Sequence, residues 1–128
     1  YKKCEPEVMI AEKPCKIMVD KQAYIRIVEN LMKNALVHGM GGYRFWLIEE
    51  NGKCVIRISN LTHTVEQQDI DRIFDRFYTT DQSRAKKTTG LGLAIVKRFV
   101  QQMGGAVKAY LEGERFTIEV KLPLAMKE

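Results

Sequence analysis

Asn30 and Asn34 stand four residues apart in a run whose apolar residues recur with a helical period, so both fall on one helix face. Asparagine is a poor helix former, and two of them in mid-helix cost stability relative to alanine. A solvated face accounts for the pair, because Arg26, Glu29 and Lys33 lie beside it. The chemical alternative is that an amide oxygen ligates a hard cation. Mg²⁺ takes few protein oxygens, since phosphates and waters complete its shell. Further on, Gly90-Leu91-Gly92-Leu93 opens a second helical pattern. Glycines let a backbone approach a phosphate closely, and the N–H groups at a helix start favour an anion. By itself this pattern also fits an ordinary loop-to-helix junction. Residues 78–89 (YTTDQSRAKKTT) are polar and lack any apolar period. From Arg76 to Thr89 the only acid is Asp81, against Arg76, Arg84, Lys86 and Lys87. A solvated loop explains such a run. Beside a phosphate cradle, it would act as a basic lid able to clamp a polyphosphate.

These residues need elements to position them. Residues 7–19 alternate around Val8, Ile10, Ile17 and Val19, which predicts two short strands near Pro14. Asp20 suits an N-cap for a helix over 21–38, with apolar residues at 24, 25, 28, 31, 32, 35 and 36 forming its inner face. Gly39, Gly41 and Gly42 end it. Segments 43–50 and 53–59 read as strands joined by Asn51-Gly52, a strong two-residue hairpin signal. Residues 66–77 predict a short amphipathic helix carrying Ile70, Ile73, Phe74 and Phe77. A helix over 91–103 places Leu93, Val96, Val100 and Met103 on one face, with Gly104-Gly105 as its stop. Strands over 106–112 and 115–122 close the chain. Strands outnumber helices and several adjoin as hairpins. That order predicts the α+β class, a two-layer α/β sandwich with its helices on one face of a mixed or antiparallel sheet.

Composition narrows the function classes. A chain of 128 residues fits a single domain over 1–128 that buries roughly two-thirds of its unfolded surface. Its 45% hydrophobic and 29% charged content excludes wholesale disorder. No apolar run approaches the ~20 residues of a membrane span. The chain starts at Tyr1, which suggests a piece of a longer protein. A net charge of +5 permits an anionic partner. The bases form no single stripe and no aromatic-and-basic RNA motif appears, so nucleic acid is not an expected partner. Cys4, Cys15 and Cys54 are widely spaced, with no CxxC and only His38 and His63 as histidines. Neither a zinc site nor a disulfide framework is expected, and a reducing cytosol is the simpler setting.

Taken together, the motifs resemble the catalytic ATP-binding domain of bacterial two-component sensor histidine kinases, in the superfamily of gyrase, Hsp90 and MutL. The segments are IVENLMKNALVHG at 27–39 (N box), IFDRFYTTDQSR at 73–84 (F box and lid), TGLGLAIVKRFVQQMGG at 89–105 (G2 box) and the last strand, FTIEVKLP at 116–123. The likeness covers residues 15–123. It implies the Bergerat-type fold, a mixed five-stranded sheet packed against three helices. It implies ATP and Mg²⁺ as cofactors. Asn34 would ligate the Mg²⁺ that bridges the phosphates, as the catalytic residue of the chain, with Asn30 alongside. His38 falls where the family often has a tyrosine near the nucleotide. Tyr78 would pack on the nucleotide, and Thr89, Gly90, Leu91, Gly92 and Leu93 would hold the phosphates by backbone amides. Phe74 and Phe77 would anchor the lid by burial.

Departures from the family pattern set further expectations. The G1 box usually reads Asp-x-Gly-x-Gly; here those positions are Asn60, Thr62 and Thr64. Asn60 is expected to accept the adenine amino group, neutrally and so more weakly than a carboxylate. Val37 and Thr79 replace frequent phosphate-binding cations, and Arg84, Lys86 or Lys87 would substitute for them. Relatives that hydrolyse ATP place a glutamate base four residues before the metal asparagine, a position held here by Asn30. Slow hydrolysis and phosphoryl transfer to a side chain supplied elsewhere follow from that. The family's acceptor is a histidine on a helical dimerisation domain, reached in cis or in trans, and absent from these residues. A response regulator acts downstream. The resemblance implies a cytoplasmic-side domain of a membrane sensor, monomeric in isolation. The competing reading is a degenerate nucleotide-binding or partner-binding module, suggested by Val37, Asn60 and Thr79.

Overall fold

The computed structural model describes residues 7–10, 21–78 and 91–123. Five strands form one sheet: β1 (Glu7–Ile10), β2 (Arg44–Glu50), β3 (Lys53–Leu61), β4 (Ala106–Glu112) and β5 (Arg115–Pro123). Their spatial order is β1-β2-β3-β5-β4. The pairing of β1 with β2 is parallel and the other three are antiparallel, so the sheet is mixed, as the resemblance implied. Two α-helices cover it, α1 (Lys21–His38) and α2 (Gly92–Gln102). A 3₁₀ helix spans Gln67–Arg72. The second strand expected near Pro14 lies outside the described residues.

Side-chain alternation sets the two faces of the sheet. One cross-strand row runs Phe45, Ile58, Ile118, Ala109, and the next Leu47, Ile56, Val120, Val107. These rows meet Ile27, Leu31 and Ala35 of α1 and Leu93, Val96 and Val100 of α2, all buried, in one core. The alternate rows, among them Trp46, Arg57, Glu119, Lys108, face away from the helices. Between β2 and β3, Asn51 (φ 52°) and Gly52 (φ 74°) are both left-handed, the twist that a two-residue hairpin requires.

Two expectations need correction. The buried face of α1 is 27, 31 and 35, flanked by Tyr24 and Val28. Ile25, Met32 and Leu36, which the apolar period assigned inward, are exposed; Leu36 is 60% accessible. The apolar arc of α1 is wider than the core can cover. The helix is turned so that Asn30 and Asn34, both half-buried, sit toward its protected side. The predicted helix over 66–77 is instead a 3₁₀ segment followed by turns. Asp75 N–H donates to Arg72 O (2.9 Å) and Tyr78 N–H to Asp75 O (3.2 Å), both i to i+3 bonds. Asp69 marks the start of the segment: its side chain accepts from the Glu66 N–H (2.8 Å), one half of a capping box with Glu66. The left-handed backbone at Phe77 (φ 64°) ends the run.

Candidate nucleotide site

α1 carries Asn30, Asn34 and His38 at intervals of four, one above the next on a single face. The Asn30 amide nitrogen donates to Arg26 O (2.7 Å), which turns its oxygen toward the start of α2. There Gly92 packs so closely that a Cβ on it would stand 3.2 Å from Asn30 Oδ1. The two motifs, 62 residues apart in sequence, therefore meet. The first turn of α2 has no side-chain cap, and Leu91 O accepts the Ile95 N–H (2.9 Å). The N–H groups ahead of Ile95 have no partner within the helix and form the positive end of its dipole. Leu93 sends its side chain into the core, so only its backbone is available to an anion.

The far wall is the end of β3. Asn60 is buried, and its amide nitrogen donates to Leu61 O (3.0 Å). Its oxygen is thus the group it offers a ligand. Gly39, directly after His38, packs on it: a Cβ at Gly39 would lie 3.1 Å from the Asn60 Cβ. The chain after α1 is fastened to the same strand by Met40 N–H to Leu61 O (2.7 Å) and Leu61 N–H to Gly41 O (2.9 Å). Arg115 adds bonds from one guanidinium nitrogen to Gly42 O and Ser59 Oγ, each 2.8 Å. Asn60 is thereby held beside the C-terminal end of α1.

Of the two F-box phenylalanines, one packs on the core as expected and the other does not. Phe74 is half-buried and packs on the core. Phe77 is 65% exposed, at φ 64°, with the Arg76 guanidinium 5.4 Å from its ring centre. The apolar burial assigned to it does not occur. A left-handed backbone at this residue turns its side chain out of the core. Tyr78 is half-buried. Its hydroxyl donates to Asp69, and the Arg72 guanidinium lies 4.8 Å from its ring centre. Asp69, buried and absent from the sequence reading, is signalled only by its spacing three residues after Glu66. Arg84, Thr89 and Gly90 lie outside the described residues. Among the described residues, no group of three His, Cys, Asp or Glu side chains could hold a metal. Among the described residues of the site, Asn30 and Asn34 offer amide oxygens to a cation.

Comparisons with known proteins bear on the family and the fold. Residues 19–126 match the profile of the family described as histidine kinase-, DNA gyrase B-, and HSP90-like ATPase. The chain is 34% identical over 114 residues to the sensor histidine kinase WalK of Bacillus subtilis, with 84% of this chain and 19% of that protein covered. It is 34% identical over 108 residues to the sensor protein VanSC of Enterococcus gallinarum, covering 82% of this chain and 30% of that one. The chain thus spans less than a third of the length of these relatives. Among solved structures, the mycobacterial sensor histidine kinase MprB superposes with a TM-score of 0.81 at 26% identity, covering 97% of this chain and 86% of that chain. Full-length ShkA in complex with AMPPNP gives 0.76 at 26% identity, over 95% of this chain and 26% of that one. With the fold, the meeting of the N and G2 boxes and these relatives in hand, the chain belongs to the histidine kinase-, DNA gyrase B- and HSP90-like ATPase family, as a catalytic ATP-binding domain of the sensor histidine kinase kind.

Proposed function

We propose that this domain binds Mg-ATP and presents the γ-phosphoryl group to a histidine on a helical dimerisation domain, within a two-component pathway that continues to a response regulator. The observation that carries this reading is the contact of Asn30 with Gly92. It sets a face of amide side chains against the uncapped N–H groups of α2, opposite ligand chemistries that one polyphosphate-metal complex joins. Asn34, half-buried one turn beyond Asn30, suits a hard cation that draws most of its shell from phosphates and waters. Bound there, Mg²⁺ would neutralise charge on the transferring group. The residues of the chain hold and orient: the start of α2 takes phosphate oxygens, and the Asn60 oxygen takes the adenine amino group. His38 and Tyr78 flank the base, and Arg84, with Thr89 and Gly90, completes the phosphate contacts from the intervening segment. The resemblance implies a cytoplasmic-side domain of a membrane sensor, and the relatives are named as sensors. No helix among the described residues is long and apolar enough to cross a membrane.

Thermal unfolding with ADP or a non-hydrolysable ATP analogue, with and without Mg²⁺, tests the site. Ligand at a hundredfold excess over its dissociation constant should stabilise by about 2.7 kcal/mol. For the ATP analogue the rise should require Mg²⁺, and Asn34→Ala should abolish that requirement. A wild-type midpoint that neither nucleotide moves at millimolar concentration would favour the degenerate-module reading.

A further inference from the structure

The resemblance places glycine at position 62, and this chain has a threonine that is 3% exposed. Its hydroxyl has one proton to give and two lone pairs to fill. It lies 3.4 Å from His38 O, the last carbonyl of α1, to which it can donate. It accepts the Thr64 N–H (3.1 Å) and pairs with the Thr64 hydroxyl (3.1 Å), where either oxygen can donate. The backbone N–H of Thr62 donates to Glu114 O (2.8 Å), in the turn between β4 and β5. A single hydroxyl therefore lies between the end of α1, the end of β3 and the chain that leaves toward the 3₁₀ helix. Two residues before it stands Asn60, and the carbonyl it holds belongs to His38. A glycine has no side chain to reach that carbonyl.

We infer that Thr62 is a positioning residue for the nucleotide. Its hydroxyl sets the spacing between the α1 wall, with Asn34 and His38, and the Asn60 wall, in place of the glycine-rich turn of the family. This rests on the nucleotide site proposed above. Gly39 packs closely on Asn60, so a shift at the end of α1 after loss of the Thr62 bond would pass directly into the gap between the two walls that the ligand must touch. Small displacements of positioning groups have large effects on bound geometry.

ADP titration calorimetry on the wild type, Thr62→Ser, Thr62→Val and Thr62→Gly tests this, at a temperature where circular dichroism shows each variant folded. Serine, which keeps the hydroxyl, should stay within about twofold of the wild-type affinity. Valine, of the same shape without the hydroxyl, should bind at least about tenfold more weakly. Glycine keeps the assay informative if valine does not fold, and it should be weakened to a similar extent. Wild-type affinity in Thr62→Val or Thr62→Gly, or a loss in Thr62→Ser equal to theirs, overturns the inference and leaves the site intact. No ADP binding by the wild type overturns both together.

Discussion

On the face of the sheet turned away from the helices, Glu119 has been taken out of water, with its side chain 4% exposed. Burial on its own would raise its carboxyl pKa. The Arg57 hydrogen bond (2.6 Å), the charge of Arg57 and the nearby Lys108 and Lys121 outweigh that and hold it below the ordinary glutamate range. A carboxyl whose pKa is depressed by folding stabilises the protein above its unfolded pKa, about 4.3. That contribution is lost as pH falls through the folded value. Glu119→Gln should therefore cost about 1.5–3 kcal/mol near neutral pH. In urea melts at stepped pH, the gap from the wild type should close below about pH 4. A gap of constant size across that range would show that the ion pair is not its source. At this scale the sequence was legible where a residue type has one use. Asn30, Gly92 and Asn60 were named from their motifs, and the structure sets the first two in contact. Thr62 was read only as a departure from a glycine, because the carbonyl its hydroxyl finds is 24 residues away and no local pattern records it. Phe77 was misread, because an apolar side chain implies burial while its backbone turns it outward.

Among the elements, the junction of α1 with α2 carries the site, and Gly92 is its narrowest point. Alanine is the better helix former by up to about 1 kcal/mol, so Gly92→Ala on its own favours α2. The same methyl would stand 3.2 Å from Asn30 Oδ1, tighter than an ordinary contact, and push the amide from the helix start. The expected outcome separates two properties: the unliganded midpoint holds or rises slightly, while the midpoint shift produced by an ATP analogue with Mg²⁺ falls. Equal losses in both would mean that the contact is only packing. The hairpin of β2 and β3 and the extents of α1 and α2 were legible, because Asn51-Gly52 and the helical periods are local signals. The rotation of α1 about its axis was not. Ile25, Met32 and Leu36 continue the apolar period, and only the position of α2 decides which side of the arc is covered. The 3₁₀ segment escaped for a similar reason. Its apolar spacing fits a helix, but such spacing does not separate i to i+3 from i to i+4 bonding, and the chain turns left-handed at Phe77.

For the whole molecule, the question is where a phosphoryl group could go. Water attack needs a general base, a contribution of about 10²–10⁴-fold. The resemblance to relatives that hydrolyse ATP puts that base at position 30, which here holds an asparagine whose amide nitrogen is committed to Arg26 O. Glu29 is the adjacent carboxylate, but it is exposed and projects roughly 100° around the helix from Asn30. Its reach is therefore outward, away from the start of α2. His63 is exposed beside Glu114 (3.8 Å), in the turn after β3, and lies on no helix. His38 is the last residue of α1, within the wall proposed to hold the nucleotide, rather than on a helix presented to it. The 128-residue chain supplied with radiolabelled Mg-ATP should therefore release phosphate close to the uncatalysed rate and take up no acid-labile label itself. Asn30→Glu should raise phosphate release by restoring a carboxylate at the base position. Label on the wild-type chain would locate an acceptor within it. Brisk hydrolysis by the wild type, unchanged in Asn30→Glu, would show that the water is activated by a group other than the one this helix face was expected to supply.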